Sequence, residues 1–184
     1  MLLTRTVAPT YSPVSLLDAK EHLRIDADAD DRVIERMLSA AVGAIGEMTG
    51  RSLAAETWQL GLDGITGDLT LPKSPVTAVS GIAYYDNNNT SQTYSLSNVN
   101  VSLSDDRAVI SLKSGCAWPV TTRRPDAVNI TFTTGYTTLP DELVSAVMLK
   151  LGDLYFNRGD AKAGDADYQI ECLVSLYRLG WAAG

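Results

Sequence analysis

The sequence predicts an α+β protein: a helical bundle built from N- and C-terminal helices, with an inserted antiparallel β lobe. Three observations predict it. Apolar residues recur at helical spacing before residue 50 and again after residue 138. Between about 55 and 137 they alternate at period two, the mark of half-buried strands. Turn residues break that middle stretch at short intervals, as antiparallel strands require.

The first helix spans 15–24. Ser15, followed three residues later by Asp18, has the form of a capping box, and Leu16, Leu17, Ala19 and Leu23 supply the apolar side. The second helix spans 29–49. Ile34, Met37, Leu38, Ala41, Ile45 and Met48 fall on one helical face, and Gly50 follows as a left-handed C-terminal cap. Strands follow in the β insertion of about 55–137. Trp58, Leu60 and Leu62 alternate with polar or small residues, which points Trp58 inward. Val99, Val101 and Leu103 repeat the pattern, as do Ala108, Ile110 and Leu112, and then Val128, Ile130 and Phe132. Asn87, Asn88 and Asn89 form a hairpin tip, since Asn tolerates positive φ. Trp118 packs its indole on the sheet beside Pro119. Thr138 caps a helix over 139–158, with Pro140 in its first turn and a stripe from Leu143 to Tyr155. The last helix spans 166–181. No helix here is long enough to stand alone, so both ends of the chain pack together in a single domain, 1–184.

The stretch Arg24 to Met37 carries Asp26, Asp28, Asp30 and Asp31, a spacing that raises a calcium loop. An EF-hand counted from Asp26 needs Gly at its sixth position and Glu at its twelfth. Asp31 and Met37 stand there, and Met37 belongs to the apolar stripe. The carboxylates instead read as a helix entrance, with Asp28 or Asp30 as cap near the positive end of the dipole. No metal and no cofactor is expected.

Composition excludes several functions. Charged residues are 20% of 184 and the net charge is -7, which argues against sequence-blind grip on nucleic acid. Two distant cysteines and one histidine, His22, are too few for a zinc site or a disulfide framework. No phosphate loop, GxSxG or HExxH occurs, and no spacing singles out a catalytic pair. No apolar run is long enough to span a bilayer, and no signal peptide opens the chain, so a cytoplasm is the expected place of synthesis. Arg123 and Arg124 are either a solvated turn or a contact to phosphate or a partner. Phe156 and Arg158 end a helix where a lobe or subunit contact fits. Trp181 is either a partner anchor or the last core residue.

Collinear pieces then form a pattern: "SLLDAKEHLRID" (15–26), "DDRVIERMLSAA" (30–41), "TGRSL" (49–53), "ETWQLGLDG" (56–64) and "LPKSPVTAVSGIAYYD" (71–86). "WPVTTRRPDAVNITFTTGY" (118–136) follows, and Leu139-Pro140 leads to "LKLGDLYFNR" ending at Arg158. The series resembles the head–tail connector, or adaptor, proteins of long-tailed bacteriophages and related gene transfer agents. The resemblance implies a structural virion component without catalytic residues. It implies a homo-oligomeric ring, commonly of twelve, between the portal protein and a tail-proximal stopper or tail-terminator protein. DNA would pass through its lumen without sequence-specific binding, and acidic residues are expected to outnumber basic ones there. A tail-completion or tail-terminator protein is the runner-up, and a small binding module is the reading from another class.

Overall fold

The structure, a computed structural model, describes residues 1–157 and 165–180. It is a mixed α+β fold of helices and antiparallel sheets, divided into two compact units. Strands make one unit, from Met1–Pro9 and Ala55–Tyr136; helices make the other, from Thr10–Ala54 and Thr137–Gly184.

The strand unit begins with β1 (Leu2–Val7), where the sequence pattern places no element. It continues with β2 (Glu56–Leu62), β3 (Leu69–Thr70), β4 (Val76–Tyr85) and β5 (Ser91–Tyr94). Then come β6 (Val99–Leu103), β7 (Ala108–Leu112) and β8 (Val128–Thr134). Two antiparallel sheets result, ordered β1-β2-β8-β4-β5 and β3-β7-β6. Leu60, Ile82, Ile130 and Phe132 from the first sheet share one buried cluster with Val99, Ala108 and Ile110 from the second. Trp58 packs half-buried against that cluster, and Trp118 joins it, with its indole N–H donating to the Gly67 carbonyl at 3.1 Å.

Cross-strand register places the other face of the five-stranded sheet. One row reads Leu2, Gly61, Asn129, Ala83 and Thr93; the next Thr4, Gln59, Thr131 and Gly81; the third Val7, Thr57, Thr133 and Ala78. None of these side chains is charged. A charge reaches this face at one end, where the Asp126 carboxylate lies against Gly61, a position with no room for a Cβ.

In the helical unit, α1 (Leu16–Leu23) ends on Arg24 in the left-handed region, and α2 (Asp31–Thr49) ends on Gly50 at φ 73°. Gly50 and Arg51 donate to the Glu47 and Gly46 carbonyls, the paired bonds of a Schellman turn. The other two helices are α3 (Asp141–Phe156) and α4 (Asp165–Val174). α3 packs against α1, α2 and α4. Ile34, Leu38, Ala41 and Ile45 of α2 are buried, with Leu143, Val147 and Leu151 of α3 and Ile170 and Val174 of α4. The last helix stops earlier than the expected 181: a 3-10 turn covers Ser175–Tyr177, and Arg178 is extended.

Candidate functional site

The acidic entrance to α2 is an ion-pair junction. Lys20, on α1, places its ammonium 2.7 Å from Asp28 and 2.8 Å from Asp31. The third carboxylate, Asp30, accepts the Tyr155 hydroxyl of α3 at 2.9 Å. Of the two expected caps, Asp30 is the N-cap residue and Asp28 is not. Asp30 holds the N-cap position of α2 but makes no side-chain cap bond, and Asp28 is engaged by Lys20. The N–H groups at the start of α2 go to backbone carbonyls instead, Asp31 to Asp28 and both Val33 and Ile34 to Asp30, while Lys20 and Tyr155 take the carboxylate oxygens. Among the described residues, no group of three or more His, Cys, Asp or Glu is placed to hold a metal ion.

The hydrogen bond from Lys20, reinforced by its charge, holds the Asp28 carboxyl below its ordinary value of 3.8. The Asp28 and Asp31 hydrogen bonds raise Lys20 above 10.5. A depressed carboxylate stabilises the fold above its unfolded-state pKa, and that contribution is lost as pH falls through the folded-state value. A raised lysine loses its contribution as pH climbs past 10.5. Lys20→Met is therefore expected to lower the urea midpoint at neutral pH. The gap from wild type should close as pH drops below 3.8. A gap unchanged between pH 7 and pH 2 would contradict this junction, with urea titrations at stepped pH as the check.

At α1, Ser15 is the N-cap, and its hydroxyl accepts the Asp18 N–H at 3.1 Å. At α3 the expected cap is corrected: Thr138 is exposed, Pro140 occupies the N-cap position, and no side chain caps it. Proline fixes φ for helix entry, and Asp141 and Glu142 in the first turn serve the dipole instead.

A second junction gathers the end of the described chain. Arg51 is 4% exposed, and its Nε donates to the Tyr177 carbonyl at 2.6 Å. Its guanidinium stands 5.8 Å over the Tyr177 ring. The Tyr177 hydroxyl donates to Glu142 at 2.9 Å, and the Leu179 N–H to the Thr49 carbonyl at 3.1 Å. Backbone and tyrosine hydrogen bonds hold the Glu142 carboxyl below its usual range. The segment Ser175–Leu179 is thus fixed through the "TGRSL" stretch.

The remaining candidate contacts lie apart from these junctions. Arg124 stacks 4.0 Å over Tyr85, and its guanidinium donates to Asn89 Oδ1 at 2.8 Å, so it braces the β4–β5 hairpin. Asn89, at that tip, has φ 58°. Arg123 is exposed. Phe156 is 71% exposed at the end of α3 and meets Tyr155 edge-on. Arg158 and Trp181 lie outside the described residues. Other large apolar side chains exposed among the described residues of the helical unit are Tyr11, Leu17, Tyr168 and Leu176.

Sequence reasoning missed Lys20, Arg51, Tyr155 and Tyr177 as partners. Only the position of Arg51 right after the helix-ending Gly50 hinted at any of them. Charge is also divided unevenly. The helical unit carries 15 of the 22 acidic residues but 9 of the 15 basic ones, which leaves it at -6 and the strand unit at -1.

Comparison with known proteins gives two findings. A family model described as "Phage gp6-like head-tail connector protein" matches residues 13–113. Among solved structures, the fold is similar to a chain from the neck of an empty GTA particle computed with C6 symmetry. That chain is 24% identical, with a TM-score of 0.83, covering 97% of this chain and 95% of that one. Chains from the virion of a native gene transfer agent (GTA) particle and from a native GTA neck computed with C12 symmetry give TM-scores of 0.81 and 0.79. Identity and coverage are the same for both. No curated protein matches the chain.

Proposed function

The chain belongs to the phage gp6-like head–tail connector family, and from that premise we propose that it forms a ring at the head–tail junction of a virion. The ring has twelve copies, binds the portal protein on one side and a tail-proximal stopper or tail-terminator protein on the other, and extends the DNA channel. It is made in the bacterial host cytoplasm. The observation that carries this reading is the likeness in fold over 97% of the chain to a chain of a particle neck. The helical unit, read as a bundle drawn from both ends of the chain, presents its acidic surface to the lumen. Its charge of -6 supports that, because a wall of like sign repels phosphate and leaves DNA mobile. The role is structural, and no side chain is assigned a catalytic part.

Light scattering on purified protein, alone and with portal protein, tests this. A mass of twelve copies, or stoichiometric capture by the portal ring, is expected. A chain that stays single and leaves the portal ring unbound across protein concentrations overturns the reading.

A further inference from the structure

The five-stranded sheet leaves β1 at one edge and β5 at the other. A free edge presents a row of unpaired backbone N–H and C=O groups that another strand completes. Soluble proteins blunt such edges with lysine, proline, β-bulges, inward charges or very short strands. Neither strand contains lysine or proline. The one charge, Arg5, is taken up by Glu56 within the sheet at 3.4 Å. Five of the six β1 residues are exposed, including Leu2 at 55%. A bulge beyond Arg5 leaves Leu2–Arg5 as the regular part, four residues long. β5 is also four residues long, and its first three are exposed. Arg124 steadies the hairpin that carries it through Asn89.

We propose that β1 is a strand acceptor, and that its free edge pairs with β5 of the neighbouring copy. This inference rests on the ring reading. A closed ring needs two different surfaces on each copy, head to tail. The five-stranded sheet supplies both, whereas the three-stranded sheet has only the two-residue β3 at one of its edges. Four antiparallel steps separate β1 from β5, so the two edges run in the same direction. The joint between copies is therefore parallel. The three cross-strand rows beside it contain no charged residue, and the one carboxylate that reaches that face, Asp126, lies over Gly61 at one end, so most of the joint closes without burying an ion.

Hydrogen exchange on the assembled ring and on the single copy tests the pairing directly. Amides of residues 2–5 and 91–94 that face outward are expected to exchange at least tenfold more slowly in the ring. The double variant Leu2→Lys with Thr4→Lys, which adds charge to an exposed edge, is expected to cut ring yield at least tenfold. Melting of the single copy should stay the same. Rings whose β1 and β5 amides exchange as in the single copy overturn the joint and leave the ring reading standing. A double variant that folds and assembles like wild type overturns the joint in the same way. Failure of wild type to assemble even with portal protein removes the ring reading, and the joint with it.

Discussion

Arg51→Ala is expected to destabilise the protein by about 3 kcal/mol, more than any other charged-residue substitution. Three losses combine. The Tyr177 carbonyl loses a charge-assisted donor at 2.6 Å, worth about 1.5–3 kcal/mol. The guanidinium leaves the face of the Tyr177 ring, worth about 0.5–1 kcal/mol. The aliphatic stem of a side chain 4% exposed leaves a gap in the helical unit. Lysine restores charge but not the planar fork, so Arg51→Lys should recover less than half of the loss. Denaturant midpoints of the three proteins measure this. Hydrogen exchange localises it, because the Leu179 amide, bonded to the Thr49 carbonyl, should lose protection with the clasp. An Arg51→Ala midpoint indistinguishable from wild type would show that Tyr177 is held by other means.

The clasp also shows what pattern reading sees and what it misses. α2 was legible because Ile34, Leu38, Ala41 and Ile45 bury one stripe at helical period. β8 was legible because Val128, Ile130 and Phe132 are buried and alternate with half-exposed neighbours, whereas β2 was legible only from its sequence spacing, since Gly61 beside Leu60 is buried as well. Alternation failed in β4, where register shifts between Val76 and Ala78 and between Val79 and Gly81 reset which residues face the core. β1 was missed because an edge strand with one half-buried residue, Leu3, carries almost no burial signal. The side-chain junctions were hidden for a different reason. Periodicity reports which face is buried, not which donor reaches an acidic loop. Asp30 meets Tyr155 from 125 positions away, and nothing local to either residue specifies that pairing. Family membership was legible in the collinear pieces because each encodes a turn or cap that the fold needs. "TGRSL" contains the Schellman glycine and the clasp arginine together.

Phe132→Ala is expected to be the most damaging single substitution in the strand unit, at about 3–5 kcal/mol. Phe132 is fully buried on β8, which lies between β2 and β4 in the sheet. Its cross-strand partners are Trp58 on one side and Val79 on the other. Truncation therefore removes an aromatic ring from the shared cluster and strips contacts from both neighbours at once. Collapse around the gap is restricted, because hydrogen-bonded strands flank the site on each side. The neighbouring position supplies the control. Thr131 lies on the opposite, uncharged face of the same strand, so Thr131→Val should shift stability by less than about 0.5 kcal/mol. Urea unfolding followed by the fluorescence of Trp58 and Trp118, in a Trp181→Phe background so that the signal comes from this unit, decides between them. Equal midpoints for the two variants would mean that the sheets are not held by the cluster centred on Phe132. A large loss confined to Phe132→Ala ties the strand unit's stability, and with it the rigidity of both open sheet edges, to that one buried ring.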